Sequence, residues 1–185
     1  VPFVNDELDI IIKKKVIDPT VRGLSKDGIA FRGFLYAGLM IDSNLNPKVL
    51  EYNCRFGDPE TQPIMLRLKS DLIDMIHTCF SGDIGNYEIE WDKRSAMGVV
   101  MSSEGYPESY ETGKAISGLD ALDGKNDIKI FHSGTRLESE NVLTNGGRVL
   151  CVTALGDDLN QSNEKAYSAV NELDWDGKYY RKDIG

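Results

Sequence analysis

The 185-residue chain is short of three things, and each shortage argues against a class of protein. Cysteine is scarce. Cys54, Cys79 and Cys151 are the three present, and no two have the close spacing of a zinc pair. That argues against a disulfide or zinc framework and leads to the expectation of a reducing, cytosolic compartment. Positive charge is also scarce: 21 Lys and Arg stand against 30 Asp and Glu, a net charge of −9. Duplex affinity rests on neutralising phosphates with Lys and Arg, so a broad face for nucleic acid is not expected. A local basic patch for a phosphorylated small molecule remains open. Long apolar runs are missing, none reaching the roughly 18 residues of a membrane span, so no membrane partner is expected. The opening "VPFVNDELDI" lacks the basic region and apolar run of a signal peptide. Repeats and low-complexity segments are absent as well.

What is present reads as a globular chain. It is 41% hydrophobic and 28% charged, long enough for one substantial core or two small ones. From Asp6 to Val16, Leu8, Ile11, Ile12 and Val16 form a helical stripe with Asn5 or Asp6 as cap. Asp18-Pro19 is expected to break that helix, because a residue before proline avoids helical angles. Ile29–Ile41 reads as a long strand, "DSNLNP" as a turn and "KVLEYN" as the returning strand, so residues 29–53 form an antiparallel hairpin. Thr61 is expected to cap a short helix with Pro63 in its first turn. Ser70-Asp71 caps another, carrying Leu72, Ile73, Met75, Ile76, Cys79 and Phe80, with Gly82 as its stop. From about residue 85 short β-like runs take over, followed by an amphipathic helix over 159–173. A boundary is expected within residues 82–92. The fold class is therefore α+β, with antiparallel strands.

The second hairpin strand runs into "EYNCRFGDPETQ", residues 51–62. Strand side chains alternate between faces. Val49, Glu51 and Asn53 share one face, while Leu50, Tyr52 and Cys54 share the other, which is the natural core face. Glu51 and Asn53 lie about 7 Å apart along the backbone, from two strand rises. A carboxylate and a carboxamide at that spacing can converge on one small hard cation, since Mg²⁺ takes oxygen ligands. The same pattern also suits a solvent-facing sheet edge. Arg55, Asp58 and Glu60 follow on a loop stiffened by Pro59, either as a functional loop or as a turn held by an Arg–Asp pair. In "TNGGRV", Asn145-Gly146 reads as a tight hairpin turn, and Arg148 as a contact for phosphate.

"GFLYAGLMID" (33–42), "PKVLEYNCRFGDPETQPIMLRLKSDL" (47–72), "TNGGRVLCVTALG" (144–156) and "YYRKDIG" (179–185) together resemble the phosphoribosylamine–glycine ligases, also called glycinamide ribonucleotide synthetases. The resemblance spans essentially the whole chain and corresponds to the C-terminal portion of that ATP-grasp family. It implies that residues 1–88 are the C-terminal part of an ATP-grasp domain, and residues 89–185 a small β-rich C-terminal domain with one amphipathic helix. It implies an ADP-forming ligase of purine biosynthesis. ATP would phosphorylate the glycine carboxylate, leaving ADP, and the amine of 5-phosphoribosylamine would attack the glycyl phosphate and expel phosphate to give glycinamide ribonucleotide.

By the same resemblance, Glu51 and Asn53 are ligands for Mg²⁺ or Mn²⁺ facing the ATP phosphates. Arg55 fixes the carboxylate substrate and stabilises charge on the acyl phosphate. Asp58 and Glu60 are candidates for holding an amine, and Arg148 for a substrate phosphate. Leu39 lies under the adenine base or is plain core. The family pattern departs at one point: "YAGLMI" offers no acidic ligand on the preceding strand and Asp42 falls at the turn, so the metal is expected to have two protein ligands. The sequence has no glycine-rich phosphate loop and no lysine-bearing nucleotide clamp, so residues 1–185 alone are expected not to turn over. A cytoplasmic monomer is the expectation. A binding module without catalysis and a scaffold role for the β-rich part remain the alternatives. His77 and His132 read as structural, Cys54 as a core residue, and Trp91 and Trp175 as packing anchors.

Overall fold

A computed structural model describes residues 4–185; Val1–Phe3, at the start of the segment read as lacking a leader, lie outside the described residues. The chain divides into two compact units. One holds the residues up to Gly57 together with Ser70–Glu90, the other Asp58–Lys69 with Trp91–Gly185. The sequence places a division at 88/89. The last crossing between units falls at 90/91, and the short segment 58–69 belongs to the second unit.

The first unit opens with α1 (Asp6–Ile12), capped by Asn5, whose side chain accepts from the Leu8 N–H at 2.9 Å. The helix does not end at Asp18-Pro19. A wider π-type segment, Lys13–Ile17, leads directly into α2 (Asp18–Lys26). There the Asp18 N–H reaches back five residues to the Lys13 carbonyl. The widened turn gives the proline ring room beside a backbone that has already left the normal ladder, which is how the helix passes a residue that ordinarily stops it.

The expected long strand is also shortened. Residues 29–35 form no strand: Gly28, just before them, and Gly33 have positive φ, and the Arg32 guanidinium donates to the Phe80 carbonyl. The strand proper is β1 (Tyr36–Ile41), paired antiparallel with β2 (Pro47–Asn53). Asp42 builds the turn between them, accepting from the Asn44 and Asn46 N–H groups at 2.9 and 3.0 Å. Those donors, Asn46 foremost, hold its carboxyl below the usual range. Tyr52 ties β2 to α2 through Thr20 Oγ1, 2.8 Å from its hydroxyl.

The side of β2 read as a core face is not one: Leu50, Tyr52 and Cys54 are exposed among the described residues. A two-stranded sheet has no second layer of its own to bury them. The unit closes, after a helix α3 that belongs to the other unit (Thr61–Arg67), with α4 (Leu72–Ser81). Asp71 caps α4 at the Ile73 and Asp74 N–H groups, and Gly82 stops it in the left-handed region. Only Met75 of the expected apolar face is buried, with Ile73 and Phe80 exposed.

The second unit has a core of its own. Beside α3 it holds the strands β3 (Ser95–Ser103), β4 (Ile128–His132), β5 (Thr135–Glu138), β6 (Asn141–Thr144), β7 (Arg148–Gly156) and β8 (Lys178–Tyr180), with α5 (Leu159–Glu172) between the last two. An antiparallel sheet of order β4-β7-β3-β8 forms the body, and β5-β6 is a separate pair. Met97, Val99 and Met101 of β3 and Leu150, Val152 and Ala154 of β7 pack with Ala166, Ala169, Val170, Leu173 and Trp175.

Helix α3 also packs on this sheet. Pro63 lies over Gly98, where an added Cβ would come within 3.0 Å of its ring. Thr61 begins this helix rather than capping it; Glu60 stands at the cap position. Trp175 is an anchor in the core, whereas Trp91 is 44% exposed and forms an isolated bridge with Leu68. Arg94 pairs with Asp92 at 2.8 Å and with Asp127 at 2.7 Å, and Lys165 of α5 joins Asp127 at 2.8 Å. Among the described residues no helix is long and apolar enough to cross a membrane.

Candidate functional site

Glu51 and Asn53 stand at the end of β2 on the same side, as strand alternation requires. Asn53 Nδ2 donates to Glu51 Oε1 at 3.2 Å, so the carboxylate and the carboxamide meet. The register makes room for them. Glu51 lies opposite Gly38, and an added Cβ there would sit 3.1 Å from Glu51 Cγ. A bulge between Gly38 and Leu39 skips Leu50 and pairs Leu39 with Val49. Leu39 is half-buried on β1, neither sealed in a packed core nor fully open to solvent.

Arg55 follows the pair on an exposed loop, where its guanidinium folds back to donate to the Phe56 carbonyl at 2.7 Å. Phe56 anchors that loop against Phe34, with ring centroids 3.9 Å apart. Among the described residues no group of three or more His, Cys, Asp or Glu gathers as a metal cage. The oxygen donors here are therefore one carboxylate and one carboxamide. This set suits a hard divalent cation that takes the rest of its shell from water and phosphate.

A second cluster lies in the second unit. Arg148 Nη1 donates to the Asp58 carbonyl at 2.8 Å and faces Asp58 Oδ2 at 3.3 Å. Arg148 Nε donates to the Tyr106 hydroxyl at 3.2 Å. That hydroxyl first, and Asp58 after it, push the guanidinium pKa up. Gln62 Nε2 donates to Asp58 Oδ1 at 3.3 Å. Glu60 lies beside this cluster in sequence, at the entrance of α3.

The Asn145-Gly146 hairpin turn is not formed, because β6 pairs with β5 while β7 pairs with β3 and β4. The segment instead crosses between sheets, held by Ser103, whose backbone N–H donates to the Gly147 carbonyl at 2.9 Å and whose hydroxyl donates to the Gly146 carbonyl at 3.0 Å. Sequence reasoning gave no role to Gln62 or Tyr106. Gln62 carries a local signal, four residues after Asp58. Tyr106 carries none, since 42 residues separate it from Arg148.

Two family profiles match the chain. "Phosphoribosylglycinamide synthetase, ATP-grasp (A) domain" matches residues 1–61, and "Phosphoribosylglycinamide synthetase, C domain" matches residues 96–185. The phosphoribosylamine–glycine ligase of Vibrio cholerae is 48% identical over 184 residues, and that of Allochromatium vinosum 50%. Each match covers 100% of this chain but 43% of the relative, so the chain spans less than half the length of these proteins. The crystal structure of the Thermotoga maritima phosphoribosylamine–glycine ligase superposes with a TM-score of 0.83 at 33% identity, covering 100% of this chain and 45% of that one. N5-carboxyaminoimidazole ribonucleotide synthetase from the same organism, at 15% identity and a TM-score of 0.62, shares the fold, with 94% of this chain and 44% of that one covered.

Proposed function

The chain belongs to the phosphoribosylglycinamide synthetase family, and on that premise we propose that it is part of an ATP-dependent ligase joining glycine to 5-phosphoribosylamine in purine biosynthesis. Residues 1–88 would supply the end of the ATP-grasp domain and residues 89–185 the C-terminal domain. The observation that carries the reading is the meeting of Glu51 and Asn53 at 3.2 Å on an exposed strand.

Both glycine and ATP are anionic at the reacting ends, so the carboxylate must be brought to the γ-phosphate against repulsion. A bound Mg²⁺ or Mn²⁺ would neutralise the phosphates and help align them. Glu51 and Asn53 would hold that ion through one charged and one neutral oxygen. Arg55 would orient the glycine carboxylate and stabilise charge as the acyl phosphate forms and the amine attacks it. Asp58, with Glu60 nearby in sequence, would receive the amine, and Leu39 would lie under the adenine. Arg148 already engages Asp58, which favours a role in shaping the amine site alongside any phosphate contact. A cytoplasmic monomer fits this biosynthetic role.

The test is Glu51→Ala in the full-length ligase containing this chain. We expect kcat to fall by roughly 10²–10³-fold, the scale of losing one electrostatic stabiliser, with the circular dichroism spectrum retained. A nearly normal rate removes Glu51 as a metal ligand. Residues 1–185 alone should show no ATP-dependent condensation.

A further inference from the structure

We propose that Gln62 and Tyr106 are positioning residues for the Asp58 carboxylate, Gln62 directly and Tyr106 through Arg148; the inference rests on the reading of Asp58 as the amine-binding group. Asp58 is held from both sides. Gln62 Nε2 reaches Oδ1 at 3.3 Å, and Arg148 Nη1 reaches Oδ2 at 3.3 Å while also binding the Asp58 carbonyl at 2.8 Å. Yet the Asp58 side chain is 53% exposed, so it has an open side for a ligand. A carboxylate has about four lone-pair directions, and two donors leave the others for an ammonium or amine.

As a folding contact alone, the Gln62 amide is half used: its i,i+4 hydrogen bond to Asp58 adds little to stability, while its carbonyl is buried. Gln62 is only 9% exposed, and its Oε1 is buried without a partner. Burying an unsatisfied carbonyl costs stability, so an apolar side chain of similar length would suit a purely structural position better. What the amide contributes is its donor to Asp58. Tyr106 is more open, at 37% exposed, but its ring has a defined seat. Its ring lies on the backbone at Gly147, where an added Cβ would come within 2.0 Å of the ring. That contact sets where its hydroxyl receives Arg148 Nε, at 3.2 Å, and so where the guanidinium meets Asp58.

The experiment uses the full-length ligase and measures KM for glycine, phosphoribosylamine and ATP separately, together with Tm. Gln62→Met should raise KM for one amine substrate roughly ten-fold, the worth of one hydrogen bond to a charged group. KM for ATP should stay constant, and Tm should be unchanged or higher. Tyr106→Phe, which keeps the ring on Gly147, should raise the same KM by less. The double variant should fall short of the product of the two, since both act through one carboxylate. Which amine responds identifies the substrate that Asp58 holds. A lower Tm with unchanged KM values for Gln62→Met, or an equal change in the ATP constant, overturns the inference. Asp58→Asn separates the two levels. If it leaves both amine constants normal, the amine reading itself fails; if it raises one while Gln62→Met and Tyr106→Phe do not, the positioning inference alone fails.

Discussion

The two units place their apolar residues in opposite ways. In the second, Val99, Met101, Leu150, Val152 and Val170 are fully buried in the core formed with α5. In the first, Ile10, Leu50, Ile73 and Phe80 are each at least 60% exposed, and Leu8, Val16 and Met75 are the buried apolar side chains among the described residues. The first unit therefore owes its hairpin mainly to backbone pairing, the Asp42 turn and polar ties such as Thr20–Tyr52. A two-stranded sheet held in this way is marginal by itself, whereas a four-stranded sheet under a helix is not. The proposed metal pair thus sits on the less self-sufficient unit, and the Asp58–Arg148 cluster on the sturdier one.

The largest contrast should appear in thiol chemistry. Cys54 is exposed in the first unit. Cys151 is buried in the second, and burial pushes its thiol pKa up to about 11. At pH 8 such a thiol is ionised in roughly one molecule in a thousand, before its inaccessibility is counted. An aromatic disulfide reagent should label Cys54 at least ~10²-fold faster than Cys151, with Cys54→Ser used to assign the fast phase. Comparable rates would mean that the second unit opens readily, and the contrast would collapse.

The next test removes core directly. Leu150 is fully buried in β7. Leu150→Ala should cost about 2–5 kcal/mol, the range for deleting a buried leucine side chain. Denaturant unfolding followed by the fluorescence of Trp175, itself in that core, would measure it. A cost below about 1 kcal/mol would show that this core is loosely packed.

The same contrast explains what the sequence disclosed. The strands β3 and β7, helix α5, the Asp71 cap and the Gly82 stop depend on local pattern, and they lie close to where pattern places them. The meeting of Glu51 and Asn53 is likewise local, two residues apart on one strand. The misses depend on partners. Pro19 is tolerated because the preceding turn widens, and Asn145-Gly146 makes no hairpin because β6 and β7 join different sheets. Leu50, Tyr52 and Cys54 alternate like a buried face but stay exposed among the described residues, Tyr52 meeting α2 through its hydroxyl. Tyr106 meets Arg148 only because the fold closes a gap of 42 residues.

The smallest expected effect sharpens the comparison most. Leu50 is 66% exposed and is the residue that the β2 bulge leaves without a partner on β1. Replacing it removes little buried surface, and threonine brings the β-branched side chain that strands favour. Leu50→Thr in this chain should therefore change stability by no more than about 0.5 kcal/mol, the usual range for a surface site. Leucine at 50 and leucine at 150 would then differ several-fold in worth, although both sit in β-strands. A loss above about 1 kcal/mol at Leu50, measured by the same unfolding experiment, would mean that the hairpin buries this side chain in solution, and the first unit would have to be counted as holding a larger core of its own.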